Sequence, residues 1–337
     1  MKRFLTRAFF YLIPTWLLLV GVFLADPYCL FKDGSVFNQN KFDIGYSYDQ
    51  GRRYKIFTYL NSPTSNIILG ASEINLINEH NIPNTDWHSL SFGGAPLQES
   101  LNMYWIVKDV YSLKKVIIAP EFIKYINAIA SDRDDPYYTC FNWNTSQSAK
   151  ALEIYNNKLD YFVDKYTLQA TWYYLFNSIF KTINKSKPKT SKEEFWQVQL
   201  DYACHVYNDY TIVPEKMTEI KQLFFDIKKD ADANGIEIMI VIPIQHEDLL
   251  QFEFQDGMFD TYEDYILTLT RIFGKIYYLA YTEGVSSDND KFSDPFHCMD
   301  SDYYLTALFS EQADVSYNED GIRERLKYIK GTIIQDE

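Results

Sequence analysis

Two apolar runs, each closed by proline, do most to limit the fold. Lys115-Val-Ile-Ile-Ala-Pro120 and Ile236-Glu-Ile-Met-Ile-Val-Ile-Pro243 are short, rich in β-branched residues and almost continuously apolar. That pattern marks strands covered on both faces, as in a parallel sheet. Asn66-Ile-Ile-Leu-Gly70, the weaker His88-Ser-Leu-Ser-Phe92 and Lys275-Ile-Tyr-Tyr-Leu-Ala-Tyr281 bring the set to five. Helical material separates them. Pro96–Tyr111 opens with proline, a residue suited to a first helical turn. Pro214–Asn234 repeats the device, carries Met217, Ile220, Leu223, Phe224 and Ile227 on one face, and stops at Gly235. The alternation predicts an α/β fold, a flavodoxin-like three-layer sandwich with a mainly parallel five-stranded sheet. Residues 121–213 break the rhythm. Rich in Tyr, Trp and Asn, they read as a helical insertion after the third strand, a lid or a partner-docking surface.

The amino terminus has a different character. Residues 1–7 contain Lys2, Arg3 and Arg7, and an uninterrupted apolar run follows from Ala8 to Ala25, ended by Asp26. At a rise of about 1.5 Å per residue, eighteen helical residues nearly cross a hydrocarbon core. Basic residues before the run predict a cytoplasmic segment 1–7 and a single transmembrane anchor at 8–25, with everything later outside the cell. A cleaved signal peptide is the alternative, although no small-x-small site stands out near Leu24-Ala25. Residues 26–63 then read as an irregular membrane-proximal stretch, and residues 64–337 as the extracytoplasmic domain.

Charge narrows the partners. A net charge of −14 excludes nucleic acid and disfavours an anionic lipid surface. The 28 Tyr, 24 Phe and 6 Trp suit either a carbohydrate-facing surface or simply an aromatic core. Cys29, Cys140, Cys204 and Cys298 form no CxxC pair; an oxidising exterior would allow a Cys140–Cys204 bridge, with connectivity left open. No metal or cofactor is expected: His is scarce and no HExxH appears, so a metal site at Asp294, His297, Asp300 and Asp302 ranks last.

Ligands of open α/β sheets sit beyond the carboxyl ends of the strands. Those ends read Gly70-Ala71-Ser72-Glu73, Gly93-Gly94, Pro120-Glu121, Pro243-Ile-Gln245-His246 and, past the fifth strand, Phe292-Ser-Asp294-Pro-Phe-His297. A serine, a glycine pair and an Asp-x-x-His on one edge suit acyl transfer. Ser72 is the candidate nucleophile, and His297 the base that takes its proton near neutral pH. Asp294 would orient the imidazole. Backbone N–H groups of Ser72 and Gly94 would form an oxyanion hole. Each signal has a plainer reading: Ser72 as a helix N-cap with Glu73 in the first turn, Gly93-Gly94 as a tight turn, Asp294–His297 as a solvated loop. Glu121 and His246 read as supporting or surface residues.

The ordered set Ile68-Leu-Gly-Ala-Ser-Glu73, Ser91-Phe-Gly-Gly-Ala-Pro96 and Asp294-x-x-His297 resembles the SGNH/GDSL hydrolase superfamily over roughly residues 64–300. It looks most like the membrane-anchored branch that works beside membrane-bound O-acyltransferases (MBOAT family) in D-alanylation of teichoic acids and O-acetylation of exopolysaccharides. The resemblance implies a Ser-His-Asp acyltransferase or esterase acting on a cell-surface polysaccharide or teichoic-acid-like polymer, with an MBOAT partner. A non-catalytic scaffold that binds polymer or that partner is the alternative. Two departures stand out. Ala71 replaces the Asp of classical esterases, and Ala119-Pro120-Glu121 replaces the Gly-x-Asn-Asp block whose Asn donates to the oxyanion.

Overall fold

A computed structural model describes residues 2–31, 48–77, 82, 86–126, 162–180, 190–208, 214–310 and 315–334. The chain divides into two compact units, one comprising Met1–Pro63 with Lys150–Lys187, the other Thr64–Ala149 with Pro188–Glu337.

The first unit is helical, built from α1 (Lys2–Ala25), α2 (Tyr48–Asn61) and α5 (Lys165–Phe180). The expected transmembrane anchor is not borne out. Residues 8–25 are helical within α1, but among the described residues no helix is long and apolar enough to cross a membrane. Pro14 sits inside α1, and Val22 and Ala25 of its last turns are fully buried. The helix packs against α5, with Gly21 facing Leu175. The apolarity of this run thus serves, at its carboxyl end, a protein interior. Asp26 then turns the chain, accepting the N–H groups of Leu30 (2.9 Å) and Phe31 (3.1 Å). Arg53 is buried, paired with Asp164 and stacked over the Tyr28 ring. The segment read as irregular, 26–63, carries α2. Its lone Gly51 and lack of apolar periodicity hid that helix.

The second unit holds the sheet. Its strands are β1 (Asn66–Gly70), β2 (Trp87–Ser89), β3 (Lys115–Ala119), β4 (Glu237–Ile242), β5 (Ile276–Tyr278) and β8 (Ser316–Tyr317), in the order β2-β1-β3-β4-β5-β8. The first five run parallel, and β8 pairs antiparallel with β5. This corrects the five-stranded expectation: among the described residues the sheet has six strands and is mixed. Two residues of β8 carry no periodicity from which to read a strand. A separate hairpin joins β6 (Phe292–Asp294) to β7 (His297–Cys298).

Both faces of the sheet are covered. Ile68, Ile117, Met239 and Val241 join Ile74, Phe292, Tyr304 and Leu308 in one core. Ile67, Leu69, Val116, Ile118, Ile240 and Ile242 are buried as well, and alternation along the strands turns them to the opposite face. Each such side chain contributes roughly 2 kcal/mol on burial. Helices α3 (Leu97–Val107), α7 (Pro214–Asn234) and α9 (Phe259–Phe273) pack on the sheet. In α7 the buried residues Ile220, Phe224, Ile227 and Ala231 recur every three or four positions, as a one-sided helix requires. Of the insertion at 121–213, α4 (Phe122–Ile126) and α6 (Lys192–Asn208) belong to this unit and α5 to the first. Residues 127–161, which include Cys140 and so the expected Cys140–Cys204 bridge, lie outside the described residues.

Candidate active site

Order β2-β1-β3 means the chain leaves β1 in opposite directions to reach its two neighbours. The crevice beyond the carboxyl ends of β1 and β3 is the usual ligand position in such sheets. Gly70 closes β1 and lets the backbones approach. A Cβ there would stand 2.8 Å from Ile74 Cγ2 and 3.1 Å from both Cβ and the carbonyl oxygen of Ala119. The Gly70 carbonyl accepts the Phe92 N–H (3.1 Å) and the Ser100 hydroxyl (3.1 Å). One carbonyl thereby ties the ends of β1 and β2 to α3.

Ser72, half-buried, follows at the start of a single 3-10 turn, Ser72–Ile74. The capping reading fails here. Ala71 occupies the N-cap position with no side-chain bond, and among the described residues the Ser72 hydroxyl makes no hydrogen bond. Gly93-Gly94 form the turn after β2. Gly94 is exposed with φ +65°, a conformation that favours glycine although open space surrounds its α-carbon. The Ala95 N–H to Phe92 carbonyl bond (3.2 Å) closes that turn.

Asp294 and His297 are held by the β6–β7 hairpin. His297 Nδ1 lies 2.7 and 2.8 Å from the two carboxylate oxygens of Asp294. Asp294 is buried, while one-third of the His297 side chain is open to solvent. The Phe296 N–H (3.0 Å) and Ser293 hydroxyl (3.2 Å) also donate to Asp294. Burial works to raise the Asp294 pKa, but the hydrogen bonds and charge of His297, with those two donors, hold it below the usual carboxylate range. β7 packs against the Ser72–Ile74 turn, so imidazole and hydroxyl belong to adjoining elements. Among the described residues no hydrogen bond joins them, an ordinary looseness for an unliganded site.

Three buried carboxyls form a cluster that the sequence reading, with Glu73 in a first turn and Glu121 as a supporting or surface residue, does not bring together. Glu73, Glu121 and Glu253 are 3%, 5% and 0% exposed. Among the described residues, neither carboxyl oxygen of Glu73 has a hydrogen-bond partner, nor has Oε1 of Glu121 or Oε2 of Glu253. Burial first, then Glu121 and Glu253, push the Glu73 carboxyl well above its usual range. Burial also raises Glu121, against Lys124 and His297. Glu253, on α8 (Glu247–Phe254), accepts the Tyr207 hydroxyl (2.8 Å) and Gln245 Nε2 (3.1 Å). Burial nonetheless pushes it up to about 7. The signal was present in the sequence: Ser72-Glu73, Pro120-Glu121 and Gln245 all stand at strand ends. Reading each singly, rather than as one shared interior, hid the cluster. Among the described residues no group of His, Cys, Asp and Glu is arranged to hold a metal ion.

His246, read as a supporting or surface residue, is 2% exposed. It caps α8, its Nδ1 accepting the Asp248 N–H at 3.2 Å. Trp196 of α6 and Phe292 of β6 meet its ring edge-on at 4.7 and 5.2 Å. It braces the hairpin that carries Asp294. From α10 (Ser301–Phe309), the Tyr304 hydroxyl accepts the Ile244 N–H (2.7 Å) and fixes the end of β4.

The arrangement can take a proton from a serine, orient the accepting imidazole with a carboxylate, and offer backbone donors nearby. Compared with known proteins, the chain matches no family model, no curated protein and no solved structure.

Proposed function

We propose that the chain is a serine-dependent esterase or O-acyltransferase of the SGNH type. Ser72 Oγ attacks an acyl carbonyl while His297 Nε2 takes the hydroxyl proton. Asp294 keeps the Nδ1 proton in place and stabilises the imidazolium. The N–H groups of Ser72 and Gly94 receive the developing oxyanion. The tetrahedral intermediate collapses as His297 returns the proton to the leaving oxygen, giving an acyl-serine. Water or an acceptor hydroxyl then releases the acyl group by the same steps in reverse.

The observation that carries this reading is the bidentate clamp of the half-exposed His297 by buried Asp294, on a hairpin packed against the Ser72 turn. Solvated loops seldom bury an aspartate with three donors. A sugar-bearing acceptor, such as a surface polysaccharide or teichoic-acid-like polymer, draws support from Phe195 and Tyr202, exposed on α6. Tyr202 lies 6.3 Å from Phe296, the neighbour of His297. Acyl supply by an MBOAT partner follows from the sequence resemblance alone.

The test is labelling with a serine-reactive fluorophosphonate. The protein should label, and Ser72→Ala and His297→Ala should each abolish the signal while the far-ultraviolet circular dichroism is unchanged. Equal labelling of Ser72→Ala would sink the proposal. One observation favours a second reading, a non-catalytic polymer-binding scaffold: a glutamate stands at the strand end where the superfamily's donor asparagine is expected. That reading requires no labelling at all and unchanged polymer binding by Ser72→Ala.

A further inference from the structure

The glutamate that counts against catalysis has a place in it. In the parallel pairing of β1 with β3, Gly70 stands opposite Ala119. Two residues further along both chains, Ser72 opens its turn and Glu121 leads into α4, and the Glu121 carboxyl lies within reach of the Glu73 backbone N–H, next to Ser72. On the other side of β1, the Phe92 N–H bonded to the Gly70 carbonyl brings Gly93-Gly94 alongside. The turn that carries the nucleophile therefore follows a strand with the glycine turn beyond one neighbour and Pro120-Glu121 beyond the other. We propose that the Glu121 carboxyl closes the oxyanion hole, donating its O–H to the substrate oxygen beside the N–H groups of Ser72 and Gly94. The inference rests on the serine-nucleophile reading and assigns to this chain the donor that its strand end otherwise lacks.

A carboxyl donates only as the neutral acid, and the surroundings decide whether it is one. Glu121 is 5% exposed with Oε1 unpartnered, and loss of water disfavours its charged form. The groups that act on it come from every neighbouring element. Glu73 of the Ser72 turn and Glu253 of α8 share the same interior, and among the described residues both are buried without a full set of donors. Lys124 of α4 and His297 of β7 pull the other way, and the Glu73 backbone N–H favours the charged form. Tyr265 of α9 and Tyr304 of α10 are close enough to feel Glu121 and are themselves held neutral by burial. Burial is the largest of these influences and raises the Glu121 pKa, toward the acid form that the proposal requires. When the serine oxygen attacks, charge develops on the substrate oxygen, and a preformed neutral donor stabilises it without reorganising. A second carboxylate anion at that point would repel it.

The experiment uses the full chain with p-nitrophenyl acetate as probe, following kcat/KM against pH. Glu121→Gln keeps a donor of the same shape and should retain activity within about threefold, whereas Glu121→Ala should lose roughly 100-fold. The wild type should lose activity on the alkaline side as Glu121 ionises, and Glu121→Gln should lack that limb. Glu121→Ala within threefold of wild type overturns the proposal, as does a folded Glu121→Gln as weak as Glu121→Ala. Should Glu121→Ala not fold, coincident alkaline limbs for wild type and Glu121→Gln overturn it alone. Failure of the underlying reading looks different: Ser72→Ala would then hydrolyse the probe as fast as wild type.

Discussion

Asp294 and Glu253 are both shielded from water, at 3% and 0% exposure, yet their pKa values move in opposite directions. Asp294 gathers the imidazole of His297, the Phe296 N–H and the Ser293 hydroxyl, and its pKa falls despite burial. Glu253 draws two neutral donors to one oxygen and none to the other, with Glu73 and Glu121 sharing its interior. Its pKa climbs to about 7. Depth is alike in the two pockets; the supply of donors is not. Two sets of carboxyls near one serine can thus take different roles in acid–base chemistry, one pushed toward the anion and the other toward the neutral acid.

Removing the anion breaks the contrast most severely. Asp294→Asn should lower kcat/KM for an activated ester by on the order of 10³–10⁴-fold, because the amide favours the wrong imidazole tautomer. Steady-state rates at neutral pH check this, and a loss below tenfold would show that Asp294 merely braces the hairpin. The neutral side is sharpened by Glu253→Gln. A carboxyl whose pKa rises from 4.5 to about 7 on folding binds its proton more tightly in the folded state. Its favourable contribution is therefore complete below the unfolded pKa and is lost as pH rises through about 7. That displacement corresponds to roughly 3 kcal/mol. Glu253→Gln keeps an acceptor for Tyr207 and Gln245 and should gain up to about 3 kcal/mol over wild type at pH 8, and nothing at pH 4. Urea denaturation at the two pH values measures it; equal gains at both would detach the effect from ionisation. Smaller again is Gly70→Ala. Its methyl must displace Ile74 and the Ala119 backbone, at a cost of about 1–3 kcal/mol in the urea midpoint. Because it pries β1 from β3 beneath both pockets, it should slow the enzyme as well.

The sequence made the framework of the sheet legible because long β-branched runs leave little choice. Asn66–Gly70 and Lys115–Ala119 form strands where the runs stand, and Pro214–Asn234 is helical over the range its face and bounding residues suggest. Short elements were hidden for the same reason in reverse: β6, β7 and β8 have three, two and two residues, too few for any period. The amino-terminal run misled because apolarity states that a surface leaves water, without saying whether lipid or protein receives it. Its last turns bury Val22 and Ala25 in protein, while Phe10, Tyr11, Trp16, Leu17 and Phe23 of the same run are exposed. At the site, Ser72, Gly94, Asp294 and His297 were singled out from strand ends and spacing. The buried glutamates were not. A charged residue read alone belongs at the surface, and only the fold reveals three of them converging on one interior.

The sheet's margins carry a consequence of their own. One border is β2, three residues long, and the other is β8, two residues running against its neighbour. Strips this brief offer an arriving chain almost no row of open amides to zip onto. Self-association through lengthening of the sheet is thereby discouraged, and the central strands, among the most apolar stretches of the chain, stay sequestered for as long as those two borders hold.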